Sequence, residues 1–142
     1  MLADEITTGV YRKMIQKFPE EIVFSNAANI TGKRVVILLK NFKYFMPLET
    51  VQIWLVMYCP LIDGLIDTTT HTEMINKAEE AMTGNIPLDK GGIIHLELNS
   101  EPFSGYYVDP MNQTESIGIL RYKAVLVYVW DNRNYFWRTK FD

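Results

Sequence analysis

His95 and Glu97 are the first pair in this chain whose types and spacing could do chemistry. Residues two apart on a strand share a face. An imidazole and a carboxylate would then stand side by side, as a general base stands beside the group that orients it. Such a pair acts on a nucleophile or substrate placed next to it. Ser25, Ser100, Ser104 and Ser116 all lack the sharp Gly-x-Ser-x-Gly turn that presents a serine hydroxyl. The His95–Glu97 face therefore reads as a solvent-exposed polar strand face. The other histidine, His71, falls where a helix begins, and Thr70 or His71 suits its cap. Two histidines in different elements and a single cysteine do not form a metal-ligand set. Cys59, beside Pro60 at the end of an apolar run, reads as a small buried hydrophobe, since no electropositive setting for a reactive thiol lies near it. Gly91-Gly92 lacks an extended glycine pattern and leads into a strand, so it is no phosphate loop. Asp63, Asp67 and Asp109 read as turn formers. No catalytic residue, cofactor or metal is expected.

The elements that would position these residues fit one domain over residues 1–142. The chain is 48% hydrophobic, 22% charged and 13% aromatic, enough for a core without disulfide or metal staples. A net charge of −3 gives no general attraction to nucleic acid or to an anionic membrane. The first residues lack the basic-then-apolar pattern of a leader. The longest apolar run, near Val51 to Met57, is too short to span a bilayer. Synthesis and residence in the cytoplasm are expected.

Periodicity supplies the order of elements. Ile6, Val10, Met14 and Phe18 recur every four residues and predict a helix over 3–17, stopped by Pro19. A short strand follows at 21–25, and the β-branched apolar run at 34–40 reads as a buried strand. Residues 41–47 read as a connection exposing Phe42, Tyr44 and Phe45. A strand at 50–58 is apolar on both faces, which predicts that both are covered. A second helix is predicted over 72–82 from Met74, Ile75, Ala78, Ala81 and Met82, with Gly84 closing it. Residues 93–99 alternate cleanly, 103–108 form a short strand, and 116–130 form the longest. That last strand is about twice the usual length, so projection past its neighbours or a bulge is expected. Consecutive strands with only two helices predict an α+β fold: a mostly antiparallel or mixed β-sheet with two α-helices packed on one face.

The ending, Tyr135-Phe136-Trp137-Arg138-Thr139-Lys140-Phe141, alternates aromatic and basic residues. Three readings stay open for residues 131–142. They could bind single-stranded nucleic acid by stacking and phosphate contacts, dock as an arm on a neighbouring subunit through aromatic anchors, or form an edge strand of their own domain.

Length, element order and the long segment from Ile117 to Trp130 after a polar loop resemble the tail-terminator and tail-to-head joining family of long-tailed bacteriophages. That resemblance implies a structural virion protein of the tail or neck. It would form a homo-oligomeric ring, expected to be a hexamer, that contacts tail-tube and neck or connector proteins. It implies no membrane and no sequence-specific nucleic acid. No functional residue is carried over. The interface expected from the aromatic pattern comprises Phe42, Tyr44, Phe45, Tyr128, Trp130, Tyr135, Phe136, Trp137 and Arg138. The competing readings are another head-completion or minor capsid protein, and a small ligand-binding domain or minor enzyme using His95 and Glu97.

Overall fold

A computed structural model describes residues 2–18, 23–24, 32–44, 49–88 and 92–128. Helix α1 (Leu2–Ile15) begins with Asp4 and Glu5 and ends with Arg12 and Lys13, a charge order that suits the helix dipole. Its four-residue stripe, Ile6, Val10 and Met14, is buried, and Phe18 extends it. Gly9 lies on the same side because the helix approaches Ile86 closely. A Cβ there would sit 2.7 Å from Ile86 Cγ2.

The strands are β1 (Val23–Phe24), β2 (Arg34–Tyr44), β3 (Glu49–Pro60), β4 (Asn85–Pro87), β5 (Gly92–Val108) and β6 (Glu115–Tyr128), with helix α2 (Thr68–Ala81) after β3. They form one sheet in the order β1-β2-β3-β6-β5-β4. β1 runs parallel to β2, and the other pairs are antiparallel. The α+β architecture with helices packed on a largely antiparallel sheet is thus the observed one.

Register decides which side chains meet the helices, because directly opposed residues share a face. The rows Val35–Met57–Gly118, Ile37–Leu55–Leu120 and Leu39–Ile53–Tyr122 run across β2, β3 and β6. Together with Ile86 and Ile94 they meet Val10, Met14, Met74, Ile75, Ala78 and Met82 in the core. Burial there pushes the Tyr122 hydroxyl up to about 12. The opposite face carries the rows Arg34–Tyr58–Ile117, Val36–Val56–Ile119 and Leu38–Trp54–Arg121. Neither helix packs there, because both apolar stripes point to the other side. Among the described residues neither helix covers the second face of the 50–58 strand, yet none of Gln52, Trp54, Val56 and Tyr58 is exposed there. Val56 is still buried, hemmed in by Trp54 and Tyr58 along β3 and by Val36 and Ile119 across it.

Several boundaries move. Residues 41–44 are not a connection. They continue β2 past a register shift between Lys40 and Lys43, so Phe42 and Tyr44 lie on a strand. The two strands expected at 93–99 and 103–108 are one 17-residue strand with register irregularities at Leu98–Phe103 and Phe103–Tyr106. The irregularity expected of the last strand sits on this partner instead. β6 pairs with β3 without a shift from Glu115 opposite Pro60 to Leu126 opposite Glu49. It does not project past its neighbours within the described residues. Helix α2 starts four residues early, capped by Asp67, whose side chain accepts from Thr70 N at 3.1 Å. Of the 21–25 strand, Val23 and Phe24 are described. Residues 129–142, with the expected arm or final strand, lie outside the described residues.

Candidate functional site

Asp67 caps α2, and this sets the turn that carries His71, whose backbone N–H donates to Asp67 O at 3.1 Å. His71 belongs to the inward stripe with Met74, Ile75 and Ala78, and it is fully buried. Its Nε2 lies 2.7 Å from Ser116 Oγ, at the start of β6. Ser116 Oγ donates to Cys59 O at 3.2 Å. Since that hydroxyl proton is committed, Nε2–H donates to Ser116 and Nδ1 is left bare. Nδ1 is buried without a hydrogen-bond partner among the described residues.

Tyr106 closes the other side. Its ring stacks on the imidazole at a centroid distance of 4.6 Å, and its hydroxyl lies 3.1 Å from Thr72 Oγ1. Gly118 makes room for both rings. A Cβ there would sit 3.0 Å from Tyr106 Cδ1 and 3.4 Å from His71 Nδ1. Burial lowers the His71 pKa, and the Asp67 carboxylate opposes part of that shift. An imidazole on a serine hydroxyl is the geometry of nucleophile activation. Here Ser116 and His71 are both fully enclosed, and the hydroxyl points its proton at a backbone carbonyl. The arrangement fastens the first turn of α2 to β3 and β6. Cys59, buried beside it, has its thiol pKa raised, chiefly by burial and next by Asp67.

A second buried polar group lies on the opposite face at the same end of the sheet. Arg34 Nη1 donates to Glu115 Oε1 at 2.8 Å, and Gly32 N donates to the same oxygen at 3.1 Å. The guanidinium also lies 3.9 Å from the Tyr58 ring centroid. The Tyr58 hydroxyl is pushed up first by burial and then by Asp109. Farther along this face, Arg121 and Lys40 approach the Trp54 ring at 4.8 and 5.1 Å.

The pair singled out by spacing is elsewhere. His95 and Glu97 stand on the helix-free face, 3.8 Å apart between Nε2 and Oε1, with side chains 53% and 50% exposed. His95 Nδ1 is 3.1 Å from Asn85 Oδ1 on β4. The two residues share a face as expected, and at their positions that face is open to solvent. A cleft of about 450 Å³ lies on the helix side, lined by Lys13, Lys17, Glu80, Ile86 and Leu88 among others, and includes neither residue. Asp63, Asp67 and Asp109 all shape turns or caps. Asp63 adopts φ 51°, and Asp109 Oδ1 accepts from Met111 N at 2.9 Å.

Of the expected interface residues, Phe42, Tyr44 and Tyr128 have their backbones in β2 and β6, and their side chains lie outside the described residues. Phe45, Trp130, Tyr135, Phe136, Trp137 and Arg138 lie outside them altogether. Of the exposed large apolar side chains that are described, Tyr11 and Ile15 lie on α1 and Leu98 on β5, and the other five lie at or beside the two turns near Pro60 and Glu115. Leu65 is 72% and Met111 92% exposed, with Ile62, Tyr107 and Val108 beside them in the chain. Leu61 N donates to Thr114 O at 3.0 Å and holds the two turns together.

Sequence reasoning missed the His71–Ser116 and Arg34–Glu115 pairs because 45 and 81 residues separate the partners. One signal was present. His71 precedes Met74, Ile75 and Ala78 by three, four and seven residues, the spacing of an inward helical stripe. No protein-family model matches the chain, and no curated protein matches it.

Proposed function

We propose that this chain is a structural assembly subunit that works by protein contact. In its specific form it is a tail-terminator or tail-completion subunit, forming a ring at the end of a phage tail tube and joining the tube to the neck. The observation that carries the reading is the helix-free sheet face. Half-buried Val36, Leu38, Trp54 and Ile119 form an apolar field there around buried Val56, with Arg121 and Lys40 over the Trp54 ring. The outer face of a two-layer domain is ordinarily polar. Apolar area with Trp, Tyr and Arg at its centre is the composition of protein interfaces. The resemblance in length and element order adds the ring, its hexameric count and its tube and neck partners.

Native mass spectrometry of the full chain tests it, with negative-stain microscopy of the same sample. The expected result is a closed oligomer, a hexamer with a central opening. A monomer at every concentration up to about 100 µM, weaker than assembly contacts sustain, overturns it.

A further inference from the structure

The two turns near Pro60 and Glu115 form an apolar and acidic tip. Leu65 and Met111 are its most exposed apolar side chains, at 72% and 92%, and Ile62 follows at 57%. Of the acids in residues 61–67 and 108–115, Asp63 is exposed and Asp67 half-buried with Lys33 near it, whereas Asp109 and Glu115 are buried. Arg34 reaches this end of the sheet but is bound to Glu115. Exposed apolar side chains of this size, gathered at one place and rimmed by charge, mark a contact site. The acidic groups disfavour an anionic lipid surface.

Chemistry complementary to that tip occurs in the same chain. Residues 135–141 hold Tyr135, Phe136, Trp137 and Phe141 with Arg138 and Lys140, and no acid. The copy that supplies them is decided by length. β6 starts at the tip with Glu115 and ends at Tyr128, about 44 Å away at roughly 3.4 Å per residue. Trp137 follows Tyr128 by nine residues, at most about 32 Å of fully stretched chain. Trp137 and Arg138 therefore fall short of the tip of their own copy. We propose that the Ile62–Leu65–Met111 tip is the docking site for the C-terminal segment of a neighbouring copy, with Trp137 and its neighbours on the apolar side chains and Arg138 beside Asp63. This contact is head-to-tail, the kind that closes into a ring when its rotation allows. The inference rests on the assembly reading above and names the contact that repeats.

Two full-length variants test it. Leu65→Glu with Met111→Glu alters only the exposed tip, and Trp137→Ala with Arg138→Glu alters only the segment. Circular dichroism checks the fold, and sedimentation velocity reads the mass. Each variant alone is expected to be folded and monomeric, with self-association weakened at least about thirtyfold, the size of one lost aromatic anchor. Mixed, they are expected to form a 1:1 pair, because one sound segment then meets one sound tip. If the wild type assembles but the tip variant assembles equally well, the docking site is wrong while the assembly reading stands. A mixture that stays monomeric, or a segment variant that unfolds because residues 135–141 belong to their own domain, also overturns the inference. A monomeric wild type overturns both readings.

Discussion

His71 and His95 carry the same side chain into opposite settings. His95 sits on an open strand face with Glu97, where water solvates both groups and their 3.8 Å separation leaves only a weak attraction. His71 is sealed between Ser116 and Tyr106, where every hydrogen bond made or missed counts. Two-residue spacing on a strand guarantees a shared face but says nothing about whether that face is dry. Membership of a helix's apolar stripe does, because the stripe exists to be buried.

The largest test of this contrast concerns the other sealed polar group. Glu115→Ala removes the carboxylate and strands Arg34, which lies largely buried against Tyr58. Breaking one side of a buried ion pair costs about 3 kcal/mol, and a melting temperature lower by about 10 °C is expected from a thermal scan. An unchanged melting temperature would mean that Arg34 finds water as readily as a surface residue does.

The next test uses pH. Burial holds the folded-state pKa of His71 below its ordinary 6.5. The unfolded chain therefore takes up a proton first as the solution is acidified. Its contribution to stability is complete above pH 6.5 and is lost as pH falls from there towards the folded value. Urea melts between pH 7.5 and 5 should show this fall, and His71→Gln should flatten it. A slope that survives in His71→Gln assigns the acid sensitivity to other groups.

The smallest effect is expected at the exposed pair. His95→Ala and Glu97→Ala should each change stability by less than about 0.5 kcal/mol, and the oligomer seen by light scattering should be unchanged. Loss of assembly or of biological activity in either folded variant would restore a working role to that face.

The readable parts of the fold are those where a repeating pattern outlasts local irregularity. Ile6, Val10 and Met14 mark the buried side of α1, and the long alternating run over 116–130 marks β6, described as Glu115–Tyr128. β4 escaped notice because three residues ending in Pro87 show no period, and only pairing with Ile93 to His95 makes them a strand. Periodicity starts α2 at 72 because Thr68, Thr69 and Thr70 are poor helix formers, and the Asp67 cap outweighs them. β5 read as two strands because Pro102 and Gly105 break the alternation, with Gly105 at φ 103°, yet β6 binds both halves. The candidate sites were less legible than the fold. Spacing on one strand revealed His95 with Glu97, whereas the buried pairs join residues that only the finished sheet brings together.

The unshifted register between β3 and β6 also has a mechanical consequence. A pull on the chain beyond Tyr128, along the strand and against a load on β3, stresses their whole ladder in shear. The twelve residue pairs from Glu49–Leu126 to Pro60–Glu115 would then have to yield together. The sheet margins differ, since among the described residues β1 holds to β2 through two residue pairs and β4 to β5 through three. Those can peel one pair at a time. The molecule is thus a stiff central tie with yielding margins, and tension entering at the end of β6 runs through its strongest member.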